Sequence, residues 1–149
     1  MATIHLPPDF KEFLRLLNSR GVEYLVVGGY AVGFYGYPRA TADLDIWIAT
    51  TEENAEKLEG VLRDFGFALP ELRKALFLEK DRVIRMGLPP IRNEILTSIS
   101  GVQFDRCYAS RQTAEIEGVK VDFISVGHLK ANKKAAGRHQ DLSDLEHLP

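Results

Sequence analysis

The chain has 149 residues, 45% of them hydrophobic and 27% charged, with a formal net charge of −2. That length suits a single domain (1–149) with its own core, and the near balance of charge does not produce the broad basic field of a general nucleic-acid binder. No apolar run is long enough to span a bilayer, residues 1–13 (MATIHLPPDFKEF) lack the basic-then-apolar pattern of a secretory leader, and the lone Cys107 has no partner for an internal disulfide; a cytoplasmic protein without membrane contact is expected.

Residues 7–9, Pro-Pro-Asp, precede a segment in which Phe10, Phe13, Leu14 and Leu17 recur at helical spacing, with Asp9 as the expected N-cap and Gly21 as the stop. Residues 22–27 are β-branched and aromatic and predict a buried strand, followed at Gly28-Gly29 by a turn and a short helix over 30–36. Residues 44–49 predict the next strand. Thr51-Glu52-Glu53-Asn54 opens a helix that turns Ala55, Leu58, Val61, Leu62 and Phe65 inward and stops at Gly66. Beyond it, residues 67–69 predict a short strand and 70–76 a helical turn. Residues 77–86 read as paired strands turning near Lys80-Asp81, 87–90 as a loop and 91–96 as a strand. Residues 102–108 predict a helix or extended piece, and 112–117 and 119–125 two strands parted by Gly118. Residues 126–149 predict two helices meeting near Gly137. The pattern implies an α/β (α+β) domain, a mixed sheet with helices packed mainly on one face.

The chemistry concentrates between residues 24 and 49. An apolar run leads into Gly28-Gly29; thirteen residues later comes Asp43-Leu44-Asp45-Ile46 inside a second apolar run. Side chains at i and i+2 of a strand share a face, so Asp43 and Asp45 are neighbours while Leu44 and Ile46 enter the core. Uncompensated, the two carboxylates raise each other's pKa. Magnesium relieves this, since it takes hard oxygen ligands, and two such ions roughly 3.5–4 Å apart can clamp an in-line phosphoryl displacement. Gly-Gly lets backbone approach a phosphate, and a helix starting there aims N–H groups at an anion. Four further aromatics, Tyr30, Phe34, Tyr35 and Tyr37, stand beside the glycines and suit either base stacking or packing on the sheet. The four histidines show no ligand spacing.

This pattern of strand, Gly-Gly, spacer and Asp-x-Asp resembles the polymerase-β-type nucleotidyltransferase superfamily. The fuller string Arg39-x-Thr41-x-Asp43-x-Asp45 resembles its small bacterial, toxin-like members. The resemblance implies a nucleotidyltransferase fold and transfer of a nucleoside monophosphate from a nucleoside triphosphate such as ATP to an acceptor hydroxyl, with two magnesium ions. It implies Asp43 and Asp45 as catalytic metal ligands, and Gly28, Gly29, Arg39 and Thr41 around the triphosphate. A salt bridge to a carboxylate is the plainer role for Arg39. The third carboxylate has two candidates. Ile91-Arg92-Asn93-Glu94-Ile95-Leu96-Thr97 resembles the family's later strand and places Glu94 there, a residue longer than the usual aspartate; Asp122, on the apolar run 119–124, competes for the position. Either could instead pair with Arg85, Arg92 or Lys120.

Leu129 to Leu145 resembles the same relatives' C-terminal helix pattern and points Lys133, Lys134 and Arg138 at the nucleotide or acceptor, with Asp141 and Asp144 fixing those cations. A solvated helix face is the alternative. The acceptor the resemblance implies is tRNA or a protein, in a toxin–antitoxin setting with an antitoxin partner or a homo-oligomer; a small-molecule antibiotic is a further candidate. The competing reading is a non-catalytic nucleotide- or protein-binding module with the same fold.

Overall fold

The structure, a computed structural model, describes residues 4–66, 74–88 and 91–149. Helix α1 (Pro8–Ser19) buries Phe10, Phe13, Leu14 and Leu17 at helical spacing. Pro7 occupies its N-cap and Pro8 its first turn, where a missing N–H leaves nothing unsatisfied. Asp9 is therefore not the expected cap; it sits in the first turn, where its charge suits the positive end of the helix dipole. Strand β1 (Tyr24–Val27) runs directly into α2 (Gly28–Phe34), then β2 (Asp43–Ile48) and α3 (Glu52–Phe65). Thr51 caps α3 by accepting the Asn54 N–H, and Gly66 closes it in the left-handed region at φ 103°.

A short 3₁₀ turn (Lys74–Leu78) precedes β3 (Val83–Leu88) and β4 (Ile91–Leu96). The expected strand pair within 77–86 is thus a single strand. Phe77 is drawn fully into the core as part of the 3₁₀ turn, and β3 pairs with β4 instead. The expected loop at 87–90 shrinks, because Gly87 and Leu88 belong to β3; residues 89–90, like the strand and turn expected at 67–73, lie outside the described residues. Then follow α4 (Phe104–Ala109), β5 (Gln112–Ile116), β6 (Val119–Phe123), α5 (Val126–Ala136) and α6 (His139–His147). Gly137, at φ 65°, ends α5 and turns the chain into α6.

The strands form one mixed sheet in the order β3-β4-β2-β1-β6-β5. Strand β2 lies at its centre, antiparallel to β1 and parallel to β4. The register makes Val26, Ile46 and Phe123 neighbours on one face. Phe34 of α2 stacks on Phe123 at 4.1 Å, so α2 covers that face, and Leu44, Ile46 and Ile48 are wholly buried there. Burying each such side chain contributes roughly 1.5–3 kcal/mol. On the opposite face Asp43, Asp45 and Trp47 follow one another, and α4 covers only the Trp47 end, where Phe104 meets the indole edge-on at 5.1 Å. The aspartate end stays partly open. Among the described residues no helix is long and apolar enough to cross a membrane.

Candidate active site

The glycines set the geometry. Gly28 adopts φ 68° at the junction of β1 and α2, a conformation that disfavours any residue with a Cβ. A Cβ there would lie 2.0 Å from Asp45 Oδ2. At Gly29 a Cβ would lie 2.7 Å from Thr41 Oγ1. The turn therefore lets main chain lie flat against Asp45 and Thr41.

The β2–β4 register brings the carboxylates together. Asp45 stands opposite Glu94, and Asp43 opposite Arg92. Burial pushes Asp45 up to about 8, helped by hydrogen bonding to the Glu94 carboxyl and by repulsion from Glu94 and Asp43. Its Oδ1 is buried with no hydrogen-bond partner. The other two carboxylates are paired. Arg92 donates to both oxygens of Asp43 (Nε to Oδ1 3.1 Å, Nη2 to Oδ2 3.3 Å), and Arg85 of β3 donates to Glu94 at 2.7 Å.

Asp122 is elsewhere. Strand β1 separates β6 from β2, and Asp122 accepts from Thr113 Oγ1 at 2.6 Å beside Lys120 and Arg111. The geometry thus groups Glu94, not Asp122, with the aspartates. The signal for Arg92 was present in the sequence: it is two residues before Glu94, hence on the same strand face. Its facing Asp43 required the register.

Three of the expected phosphate-binding cations, Arg39, Lys133 and Arg138, gather on the buried carboxylates of α6, Arg138 from an exposed position. Arg39 donates to both oxygens of Asp144 at 2.7 and 2.8 Å. Lys133, almost fully buried, lies 3.1 Å from Asp144 and 3.3 Å from Asp141. Arg138 caps α6 through Asp141, with Nε at 2.7 Å. Burial opposes ionisation of Asp144, but hydrogen bonds from Arg39, Lys133 and Gln140 outweigh it and hold the carboxyl below its ordinary range. Lys134 is separate and exposed. The aromatics beside the glycines mostly pack: Tyr30 meets Phe10 edge-on, Tyr35 donates to the Ile124 carbonyl, and Tyr37 stacks on His147.

Two cavities flank the Gly-Gly turn. One of about 360 Å³ has Gly28, Asp45, Lys133 and Arg138 at its polar side and Leu96 and Ile99 in its wall. The other, about 280 Å³, is bounded by Gly29, Tyr30, Arg39 and Thr41. The wall residues Leu96, Ile99 and Asn132 carry no chemical signature in the sequence and emerge only from the fold. The donor chemistry suits a divalent cation at Asp45, since an orphaned buried carboxylate oxygen is a hard ligand lacking a partner. Among the described residues no three Asp, Glu, His or Cys side chains already converge on one point; Asp43 and Glu94 are paired with Arg92 and Arg85.

The mixed sheet and its helices form a fold shared with solved nucleotidyltransferases. Solved structures that share it include the following three. An antigenic nucleotidyltransferase-like protein from Paracoccidioides brasiliensis is 18% identical with a TM-score of 0.58, over 92% of this chain and 72% of that one. The lincosamide antibiotic adenylyltransferase LnuA, lincomycin-bound, is 12% identical with a TM-score of 0.57, over 95% of both chains. ANT(2")-Ia, in complex with adenylyl-2"-tobramycin, is 13% identical with a TM-score of 0.54, over 91% of this chain and 83% of that one. No family model and no curated protein matches the chain.

Proposed function

We propose that the protein transfers a nucleoside monophosphate from a nucleoside triphosphate to an acceptor hydroxyl in a magnesium-dependent reaction. One observation carries the reading: Asp45, whose buried Oδ1 has no hydrogen-bond partner, lies against a glycine turn and lines a cavity edged with Lys133 and Arg138. A structural carboxylate has no reason to be left so.

Asp45, flanked by Asp43 and Glu94, would hold the cation, which would supply Lewis-acid charge neutralisation on the phosphates. The Gly28 and Gly29 main chain, Thr41, and the cluster of Arg39, Lys133 and Arg138 bind and orient the triphosphate, and exposed Lys134 is free to reach the acceptor. The acceptor oxygen forms a bond to the α-phosphorus, and the bond from that phosphorus to the pyrophosphate oxygen breaks. The hydroxyl proton passes to the Glu94 carboxylate, and pyrophosphate leaves.

The small bacterial resemblance favours tRNA or a protein as acceptor. LnuA favours a small molecule, because a protein of matching extent that is lincomycin-bound spans 95% of this chain with 95% of its own. Both readings are tested together. Purified protein is incubated with each α-labelled nucleoside triphosphate, magnesium and a bacterial lysate, beside Asp43→Asn. Label in RNA, protein or small molecules with wild type alone supports transfer and identifies the acceptor class. Magnesium-dependent binding without label points to the non-catalytic module; equal labelling by both proteins overturns the site.

A further inference from the structure

We infer that the site takes one divalent cation, held at Asp45, and that the guanidinium of Arg92 stands on Asp43 in place of a second. The inference rests on the nucleotidyl-transfer reading for the cation at Asp45.

Two adjoining rows of the sheet make the arrangement. Along one, Arg85, Glu94 and Asp45 are register neighbours; along the next, Arg92 and Asp43 are. Strands β4 and β3 therefore deliver one fixed positive charge to each of the two carboxylates that would otherwise share ions with Asp45. The contacts differ in kind. Arg85 bonds Glu94 from an exposed position through one oxygen, Oε1. Arg92 is two-thirds buried and spans both oxygens of Asp43.

A carboxylate that bridges two ions presents one oxygen to each. Both Asp43 oxygens instead face one planar fork, the geometry that guanidinium and carboxylate match best. A guanidinium cannot shed its proton, so this charge is permanent. A second dication at Asp43 would have to stand against it. Arg92 has five N–H donors and spends two on Asp43, which leaves others for a phosphate oxygen. It can thus supply the positive charge that a second ion would bring to the transferring phosphate, from a fixed position.

The lengthened third carboxylate is consistent with this. Glu94 reaches back to Arg85 while remaining within hydrogen-bonding reach of Asp45. Of the three carboxylates, Asp45 keeps a buried oxygen without a hydrogen-bond partner.

The test counts ions. The full chain is loaded with Mn²⁺ and a nucleoside triphosphate whose α,β bridge is a methylene, then examined by equilibrium dialysis and frozen-solution EPR. Wild type should bind one Mn²⁺ per chain beyond that on free nucleotide, with a six-line spectrum free of Mn–Mn coupling. Arg92→Gln should acquire a second ion, spin-coupled to the first, as expected for ions roughly 3.5–4 Å apart. Arg92→Lys, which keeps the charge, should return the count to one. A coupled pair in wild type, or a single ion in Arg92→Gln with its fold intact by circular dichroism, overturns the inference and leaves nucleotidyl transfer standing. No bound Mn²⁺ in wild type overturns the cation at Asp45 and the proposed function with it. Should Arg92→Gln unfold, the wild-type and Arg92→Lys counts still decide, since two ions in either defeats the inference.

Discussion

Gly28 and Asp45 are in direct apposition: main chain at one meets carboxylate at the other, with no room for a methyl group between them. Gly28→Ala must therefore meet two penalties. The positive φ costs about 1–2 kcal/mol for an L-residue, and the new Cβ displaces Asp45. Loss of roughly 2–3 kcal/mol in urea unfolding and near-complete loss of nucleotide binding are expected. An unchanged unfolding midpoint would show that the turn relaxes freely.

The raised Asp45 carboxyl has a consequence for stability. An unfolded aspartate ionises near pH 4, whereas Asp45 in the fold holds its proton up to about 8. Between these values the folded chain binds the extra proton, so the contribution of Asp45 is full below about pH 4 and declines as pH rises to about 8. In cation-free buffer Asp45→Asn should stabilise the protein at pH 7 by on the order of 1–4 kcal/mol. Magnesium should raise the melting temperature of wild type and not of the variant. Chemical denaturation from pH 4 to 9, with and without magnesium, checks both signs.

Asp144 is the hub of the cation cluster and is wholly buried. Asp144→Asn removes the charge opposite Arg39 and Lys133 while leaving both in place. Breaking a buried pair from one side costs about 3–5 kcal/mol. The double variant Asp144→Asn/Lys133→Met should recover part of that loss without recovering triphosphate affinity. Urea titration and calorimetry with a non-transferable nucleotide separate the two effects.

Asp122 is bound by Thr113, Lys120 and Arg111 on the far side of β1 from Asp45. Asp122→Asn should cost about 1–3 kcal/mol of stability, the penalty of upsetting a buried hydrogen-bonded carboxylate. Nucleotide affinity should stay at the wild-type value. A parallel loss of affinity in folded protein would restore Asp122 as a candidate for the third carboxylate.

The central elements were legible because their signals are local. Gly28-Gly29 between two apolar runs, the alternation at residues 43–48, and the Thr51 and Gly66 caps each act within a few residues. Non-local pairing was not legible. Whether Glu94 or Asp122 joins the aspartates depends on strand order, and both lie on equally apolar strands. Arg39 beside Asp144 and Arg92 beside Asp43 follow from docking and register, which no spacing encodes. The first strand of the pair expected over 77–86 shows a competing force: Phe77 has strand propensity, but full burial is better served by a 3₁₀ turn against the core.

Arg39 and Asp144 are 105 residues apart in sequence. Contacts of such separation close a long chain loop before they return any energy, and proteins rich in them fold slowly. During synthesis α6 emerges more than a hundred residues after the Gly-Gly turn, so Arg39 waits without its counter-charge. The Arg39–Asp144 contact is then among the last in the domain to form. A refolding chain would show its aspartate sheet first and its nucleotide affinity afterwards.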